Sequence, residues 1–279
     1  MESSPTSTTP APQPVRWHIS EIDFSRIDIP RIRHNQDLFY LVTSASFIET
    51  GSDMYTRNLV RHYAAYPEVA EWLQQRWEPE ELQHGLALRT YVETVWPEFA
   101  WQTAFDGFFA EYGAMCTDEE LEDDRTLELV ARCVVETGTT TYYETLRNLA
   151  TEPVLADLAN RIRTDEVQHY KYFFQYFREL QASQKLSRAR IASVLYKRLA
   201  EMRESDSDVA LRHVWQHRPP LFREDSFEQQ SQRTYQLVSS SLPIEQVIRM
   251  LLKPMDLPKR LEKWVQPPLQ KLGRRLLSA

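Results

Sequence analysis

The sequence contains Glu81-Leu-Gln-His84 and, much later in the chain, Glu166-Val-Gln-His169. In each stretch a glutamate stands three residues before a histidine. Residues at this spacing share one face of an α-helix, so each pair would present a carboxylate oxygen and an imidazole nitrogen in the same direction. One such pair is common on a solvated helix face, but two pairs in one chain indicate a shared site.

Long stretches around these pairs follow a helical period, and only 6 of the 279 residues are glycine. We therefore predict an all-α protein with long helices over 36–64, 67–95, from Thr117 or Asp124 to 150, and 151–184. Thr117 and Glu120 have the spacing of a capping box. The first and last links between these helices are short, whereas residues 97–117 form a long aromatic connection. Short links join antiparallel neighbours, and one long crossover is typical of ferritin-like four-helix bundles.

The other two long helices each carry a lone glutamate near the middle, Glu49 in the first and Glu136 in the third. In an antiparallel bundle these side chains lie at the same depth as the two Glu-x-x-His pairs. The negative charges of four carboxylates would balance two divalent ions, and a mixture of carboxylates and imidazoles suits iron or manganese better than structural zinc. A structural salt-bridge network is the alternative, but few cations lie nearby in the sequence. The predicted metal ligands are Glu49, Glu81, His84, Glu136, Glu166 and His169.

At these residues the chain resembles the soluble acyl-carrier-protein desaturases, within the ferritin-like di-iron carboxylate superfamily. The stretch from Trp77 to Gly85 is similar to their first iron motif, Asp165 to His169 is similar to their second, and Glu136 with Thr139 matches a further ligand and a nearby threonine. The resemblance covers roughly residues 35–184. Pro79 within the first motif and the shorter chain depart from the family and leave the substrate open.

The resemblance implies two iron ions, with a manganese–iron pair as the alternative, and activation of O2 for desaturation or hydroxylation of an unactivated C–H bond. It implies an acyl substrate linked to a carrier protein or to CoA, or another small molecule, and an electron donor such as a ferredoxin. By the same resemblance Glu81 and Glu136 bridge the ions, while Glu49 and Glu166 lie outside. Leu88 stands where ribonucleotide reductase small subunits carry a radical tyrosine, and Ile162 stands where arylamine-type N-oxygenases carry an additional histidine.

Several neighbouring residues are candidates for supporting roles. Asp165 and Glu80 each precede a motif glutamate and could accept the free N–H of a ligand histidine, although either could be a surface carboxylate. Thr139 and Thr140 lie three and four residues after Glu136, so one hydroxyl should face the metals and guide protons; a hydrogen bond to the helix backbone is the alternative. We predict catalytic roles for Thr139, Thr140 and Asp165. Trp17 resembles a tryptophan on the path to the metals in related proteins, or is an ordinary packed aromatic.

Three of the few glycines, Gly51, Gly85 and Gly138, lie within two residues of a predicted ligand. Glycine within a helix costs about 1 kcal/mol relative to alanine. Its use here indicates either room for substrate or dioxygen, or close contact between helices.

We predict a disordered Ser/Thr/Pro-rich tail over residues 1–20, the di-iron bundle over 21–184 and a basic helical extension packed on the bundle over 185–279. Within the extension we expect helices over 187–203, 226–240, 243–253 and 257–275, with a loop through 217–220. Residues 185–279 carry 18 basic and 10 acidic side chains, which leaves 15 basic and 30 acidic in the remainder. The two parts either neutralise each other, or the extension offers a basic surface to an acidic carrier protein or an anionic membrane.

Other features limit the class of protein. The sequence has no apolar run long enough to span a membrane, no signal peptide, and two cysteines that fit a reducing cytoplasm. The net charge of −7 disfavours a nucleic-acid partner. The sequence is compatible with a homodimer. Two rival functions also stay open: a ferroxidase or iron-handling protein, and a non-catalytic binding module stabilised by metal.

Overall fold

The structure, a computed structural model, describes residues 15–116, 121–201 and 206–277. The described residues are helical and include no β-strand. In chain order the α-helices are α1 (Ile29–Ile32), α2 (Gln36–Thr50), α3 (Ser52–His62), α4 (Pro67–Trp72), α5 (Glu78–Val95), α6 (Trp101–Met115), α7 (Arg125–Leu149), α8 (Pro153–Gln184), α9 (Arg188–Glu201), α10 (Asp206–Gln216), α11 (Phe227–Ser241), α12 (Ile244–Leu252) and α13 (Lys259–Leu277).

A four-helix bundle formed by α2, α5, α7 and α8 is the centre of the fold. Helix α2 packs along α5 and α7 packs along α8, and the two pairs meet through contacts of α5 with α8 and of α2 with α7. The starts of α7 and α8 are each fixed by an acidic cap residue. The Asp124 side chain accepts hydrogen bonds from backbone amides of the first turn of α7, and Glu152 does the same for α8. The alternative start at Thr117 and Glu120 lies outside the described residues.

The first predicted helix, over 36–64, is two helices in the structure. Helix α2 ends at Thr50, Gly51 caps it, and α3 begins at Ser52. A Gly-Ser pair is a common site of helix bending, because both residues have low helix propensity. The ring of Phe108 from α6 fills the space beside Gly51, 3.4 Å from where a β-carbon would lie.

The second predicted helix, over 67–95, is interrupted by a π-helical segment at Leu73–Trp77. There the Glu78 amide donates to the Leu73 carbonyl, five residues earlier. Pro79 explains this widening, because it has no N–H to donate and its ring would clash with the Gln75 carbonyl in a regular α-helix. The π-helical segment at the start of the first motif therefore accommodates the departure from the family pattern at Pro79.

The long aromatic connection over 97–117 contains the helix α6, which the sequence analysis did not predict. Its aromatic side chains pack around Phe47 of α2, with ring centroids 5.3 Å away for Trp101, 5.7 Å for Phe105 and 5.6 Å for Phe108. The crossover thus supplies core packing for the half of the bundle that holds Glu49.

The C-terminal helices pack against the bundle, α9 and α12 on α7, and α10 on α2 and α6. Helix α10 was not predicted, whereas α9, α11, α12 and α13 lie close to their predicted positions. Helix α13 continues through Pro267 and Pro268, which are exposed, so the carbonyls that lose a partner face water. The division into three domains stays a prediction.

The predicted tail over 1–20 differs from the structure at its C-terminal end. Residues 1–14 lie outside the described residues, but Trp17 is buried on the bundle with 4% of its surface exposed. None of the helices in the described part of the chain is long and apolar enough to cross a membrane.

Candidate metal centre

The six residues predicted as metal ligands converge in the core of the bundle. Two overlapping groups form, and within each group one ligand atom per residue lies within 4.8 Å of all the others. The first group comprises Glu49, Glu81, His84 and Glu166, and the second comprises Glu81, Glu136, Glu166 and His169. All six side chains are buried. Because Glu81 and Glu166 belong to both groups, they are the carboxylates placed to be shared, whereas the family resemblance implied Glu81 and Glu136.

His84 lies between three carboxylates contributed by two other helices. Its Nδ1 atom is 3.3 Å from Glu166 Oε1 and 3.6 Å from Glu49 Oε2, and its Nε2 atom is 3.1 Å from Asp165 Oδ2. The Nδ1 atom thus faces the centre, and the Nε2 atom on the opposite side of the ring contacts the carboxylate of Asp165.

His169 has the same arrangement in the second half of the site. Its Nδ1 atom is 3.0 Å from Glu81 Oε1 and 3.8 Å from both Glu136 Oε2 and Glu166 Oε2, while Nε2 is 2.9 Å from Glu80 Oε2. The acid that precedes each motif glutamate therefore contacts the histidine of the other motif. The predicted supporting positions of Asp165 and Glu80 match this geometry, and neither residue is a surface carboxylate, since each is 1% exposed.

Two arginines neutralise these outer acids. Arg16 Nη1 lies 2.8 Å from Asp165 Oδ1, and Arg76 Nε lies 2.7 Å from Glu80 Oε1. Neither arginine was predicted to have this role. Arg76 could have been found from its position four residues before Glu80 on a helix, whereas Arg16 lies in the predicted tail and carried no signal.

Trp17 is part of the same network. Its indole Nε1 donates to Asp165 Oδ2 over 2.6 Å, and its ring is parallel to that of His84 at a centroid distance of 6.1 Å. A hydrogen-bonded chain thus runs from Trp17 through Asp165 to His84. Trp17 is both packed and connected to the centre, which combines the two alternatives considered for it.

Three further side chains orient the glutamates. Thr139 donates to Glu166 Oε2 over 2.6 Å, the Trp77 indole donates to Glu136 Oε1 over 3.2 Å, and the Tyr143 hydroxyl donates to Glu49 Oε1. Trp77 and Tyr143 were not predicted to have these roles. Of the two threonines, Thr139 reaches a predicted ligand. The hydroxyl of Thr140 is buried and, among the described residues, has no hydrogen-bond partner.

The carboxylates around the two histidines favour the protonated form of each ring. Burial lowers the pKa of His84, but its hydrogen bonds to Asp165 and Glu166 outweigh burial and raise the pKa well above its usual value. For His169, burial again lowers the pKa, and the nearby carboxylates of Glu166 and Glu80 raise it by more. The raised pKa values thus report an excess of negative charge around both rings.

The glutamates divide into two kinds. Burial, together with the nearby charge of Glu166, raises the pKa of Glu81 and of Glu136 well above its usual value. Burial also raises the pKa of Glu166, but hydrogen bonds from His169 and His84 reverse this and hold it below its usual value. The buried carboxylates repel one another and are stabilised by nearby positive charge. Such an arrangement favours the binding of a cation.

Gly85 permits close contact between α2 and α5. A β-carbon at this position would lie 2.5 Å from Thr50 Oγ1 and 2.7 Å from the Thr50 amide nitrogen. Close helix packing, one of the two explanations considered for the glycines, therefore applies at Gly85, directly beside His84.

No protein-family model matches the sequence, and no curated protein matches it significantly. Solved structures do match. A tyrosine-to-phenylalanine variant of an R2-like ligand-binding oxidase with an aerobically reconstituted Mn/Fe cofactor has a TM-score of 0.57 at 13% identity, over 85% of this chain and 88% of that chain. A glycine-to-leucine variant with an Fe/Fe cofactor gives the same four values. A valine-to-alanine variant with an anaerobically reconstituted Mn/Fe cofactor has a TM-score of 0.55 at 12% identity, over 93% and 88%. These likenesses confirm the predicted ferritin-like helical bundle.

Proposed function

We propose that this protein is an O2-dependent oxidoreductase that holds two metal ions, Fe/Fe or Mn/Fe, within its four-helix bundle. One observation carries the proposal: four carboxylates and two imidazoles from four helices form two overlapping groups of ligand size in the core. The R2-like oxidases that share the fold, with Mn/Fe and Fe/Fe cofactors, support the same choice of metals.

The residues present fit a pair of cations. Buried polar atoms normally have hydrogen-bond partners. Among the described residues, however, five atoms that face the centre lie against other charged groups without forming a hydrogen bond of good geometry, namely Glu49 Oε2, His84 Nδ1, Glu136 Oε2, Glu166 Oε1 and His169 Nδ1. Leaving so many acceptors and donors unsatisfied at one point is costly unless a ligand completes them. Four carboxylates would also neutralise two divalent ions.

We assign Glu49 and His84 to one ion, Glu136 and His169 to the other, and Glu81 and Glu166 to both. Such a metal pair supplies activation of dioxygen when it is bound. The protein orients the ligands. The carboxylates of Asp165 and Glu80 each accept a hydrogen bond from the Nε2–H of a histidine, so that the Nδ1 atom of that ring faces the centre. Thr139 keeps a hydroxyl proton at Glu166 Oε2, where it can be delivered to the reacting side of the site.

External electrons need a route to the buried centre. The hydrogen-bonded chain Trp17, Asp165, His84 supplies a continuous polar contact from the N-terminal segment to the ligands. We propose this segment as the face where a donor such as a ferredoxin acts.

For the substrate we propose an unactivated C–H bond, in an acyl chain linked to a carrier protein or CoA or in another small molecule, with desaturation or hydroxylation as the outcome. The proposal is compatible with a homodimer. We also propose a cytoplasmic location, since a chain with two cysteines suits a reducing compartment.

Metal analysis tests the site. Protein purified with ferrous iron should bind two ions per chain, and His84→Ala or His169→Ala should lose metal while keeping the helical circular dichroism spectrum. His213→Ala is the matched control, because His213 pairs with Glu111 away from the centre. Retention of both ions in either site variant would show that the ligand assignment is wrong.

Aerobic turnover of the ferrous protein, with and without acyl substrates, tests the reaction. An oxidoreductase of the proposed kind forms an organic product when a reductant is supplied. If iron oxidises and no organic substrate in the panel is ever converted, the ferroxidase is the correct function. If neither iron nor substrate reacts, the metal is structural and the protein is a binding module.

A further inference from the structure

The outward face of α13 combines exposed apolar and basic side chains. Leu261, Trp264 and Leu272 are exposed by 47%, 81% and 51%, respectively, and Pro268 is also exposed. At helical spacing these four residues form one stripe, about 16 Å long at 1.5 Å per residue. Such an exposed row of large apolar side chains on a helix calls for a partner.

Basic residues border this stripe on one side. They are Arg260, Lys263, Lys271, Arg274 and Arg275, and all are exposed. The helix contains one acid, Glu262, which lies on the half-buried side. Arg274 lies 3.5 Å from Glu245, an exposed pair that is weak in water. The outward face is therefore apolar along one line and uniformly cationic beside it.

The packing of α13 fixes which side faces outward. A β-carbon at Gly273 would lie 2.8 Å from Ile244 Cδ1, so the helix approaches α12 closely on this side. Val265 and Leu269, eight and four residues before Gly273, are half-buried on the same side. The stripe with Trp264 faces away from this contact.

We propose that the outward face of α13 docks on the surface of an anionic lipid bilayer. A tryptophan and leucines at the water–lipid boundary, with Lys and Arg beside them, are the pattern of helices that lie in the plane of a membrane. The charge of the face complements anionic headgroups. The stripe is a convex helix surface, which suits a planar bilayer. This inference concerns α13 alone and does not rest on the proposed function.

Vesicle co-sedimentation of the full-length protein tests the proposal. The protein should pellet with vesicles of equal parts phosphatidylcholine and phosphatidylglycerol and remain in solution with phosphatidylcholine alone. Each cation near the surface contributes about a fivefold factor, so Lys263→Glu with Lys271→Glu should weaken binding at least about 30-fold. The matched control, Arg31→Glu with Arg57→Glu, makes the same change in net charge at exposed positions of α1 and α3 and should bind as the wild type does.

Fluorescence identifies the face in contact. The other six tryptophans are buried or half-buried, so a blue shift on adding the mixed vesicles should come from Trp264 and disappear in Trp264→Phe, which should still pellet. Circular dichroism checks that each variant keeps its helices. The proposal is overturned if the wild type does not pellet, if neutral vesicles bind it equally well, or if the control pair weakens binding as much. Saturable binding of an acidic acyl carrier protein without any pelleting would assign the face to a protein partner instead.

Discussion

Replacing Gly85 by alanine tests how tightly the two helices beside the centre must pack. The new β-carbon would lie 2.5 Å from Thr50 Oγ1, 2.7 Å from Thr50 N and 2.9 Å from Thr50 Cα, whereas ordinary contacts begin at 3.4 Å. Two of these atoms are backbone atoms and cannot rotate away, so α5 must move from α2. Overpacking of this kind typically lowers the free energy of unfolding by about 1–3 kcal/mol. Because the clash is with backbone atoms, we expect a loss of about 3 kcal/mol here. The gain in helix propensity offsets about 1 kcal/mol.

The expected net loss in the free energy of unfolding is therefore about 2 kcal/mol, which lowers Tm by roughly 4–8 °C. The same displacement separates His84 Nδ1 from Glu49 Oε2, now 3.6 Å apart, so the metal ions should be bound more weakly. Calorimetry and metal analysis measure the two effects. Gly51→Ala is the control, since its β-carbon would lie 3.3 Å from Phe47 O and 3.4 Å from Phe108 Cε1. A Gly85→Ala protein with wild-type Tm and full metal content would refute the reasoning.

Three other substitutions give further predictions. Asp165→Asn removes the carboxylate behind His84 and should weaken metal binding about 10–100-fold in equilibrium competition with a chelator; unchanged affinity would show that the ring needs no such support. Glu152→Ala removes the cap of α8 and the partner of the Tyr91 hydroxyl, and should cost about 2–4 kcal/mol in urea unfolding, whereas Glu152→Gln should cost less. Burial raises the pKa of Glu128 to about 7 from 4.5, so the folded protein holds this proton more tightly than the unfolded chain does. Stability should therefore fall as pH rises from about 4.5 to about 7, by on the order of 3 kcal/mol, and Glu128→Gln should flatten this slope.

Features encoded by local spacing could be predicted from the sequence. The Glu-x-x-His pairs depend on the helical period, and the caps Asp124 and Glu152 act on amides two or three residues away. The ligand set followed because mid-helix residues of antiparallel helices share a level, and the structure brings all six together.

Features that depend on the packing of distant segments could not be predicted. Phe108 of α6 fills the space beside the break at Gly51, and α10 depends on burying Val209 and Val214 against α2 and α6. The contact of Arg16 with Asp165 joins segments 149 residues apart in the chain. No local pattern marks such a contact before the fold is known.

The crossed support of the histidines has a consequence for how the site assembles. Asp165 belongs to the second motif and holds His84 of the first, while Glu80 belongs to the first and holds His169 of the second. Each histidine is therefore oriented when α5 and α8 are docked, and neither motif is complete on its own helix. Buried acids without these partners would be strongly destabilising, so displacement of either helix should disorganise both halves of the centre together. Loss of one histidine support is thus expected to weaken both ions, and stepwise metal loss with one ion unaffected would indicate two independent sites.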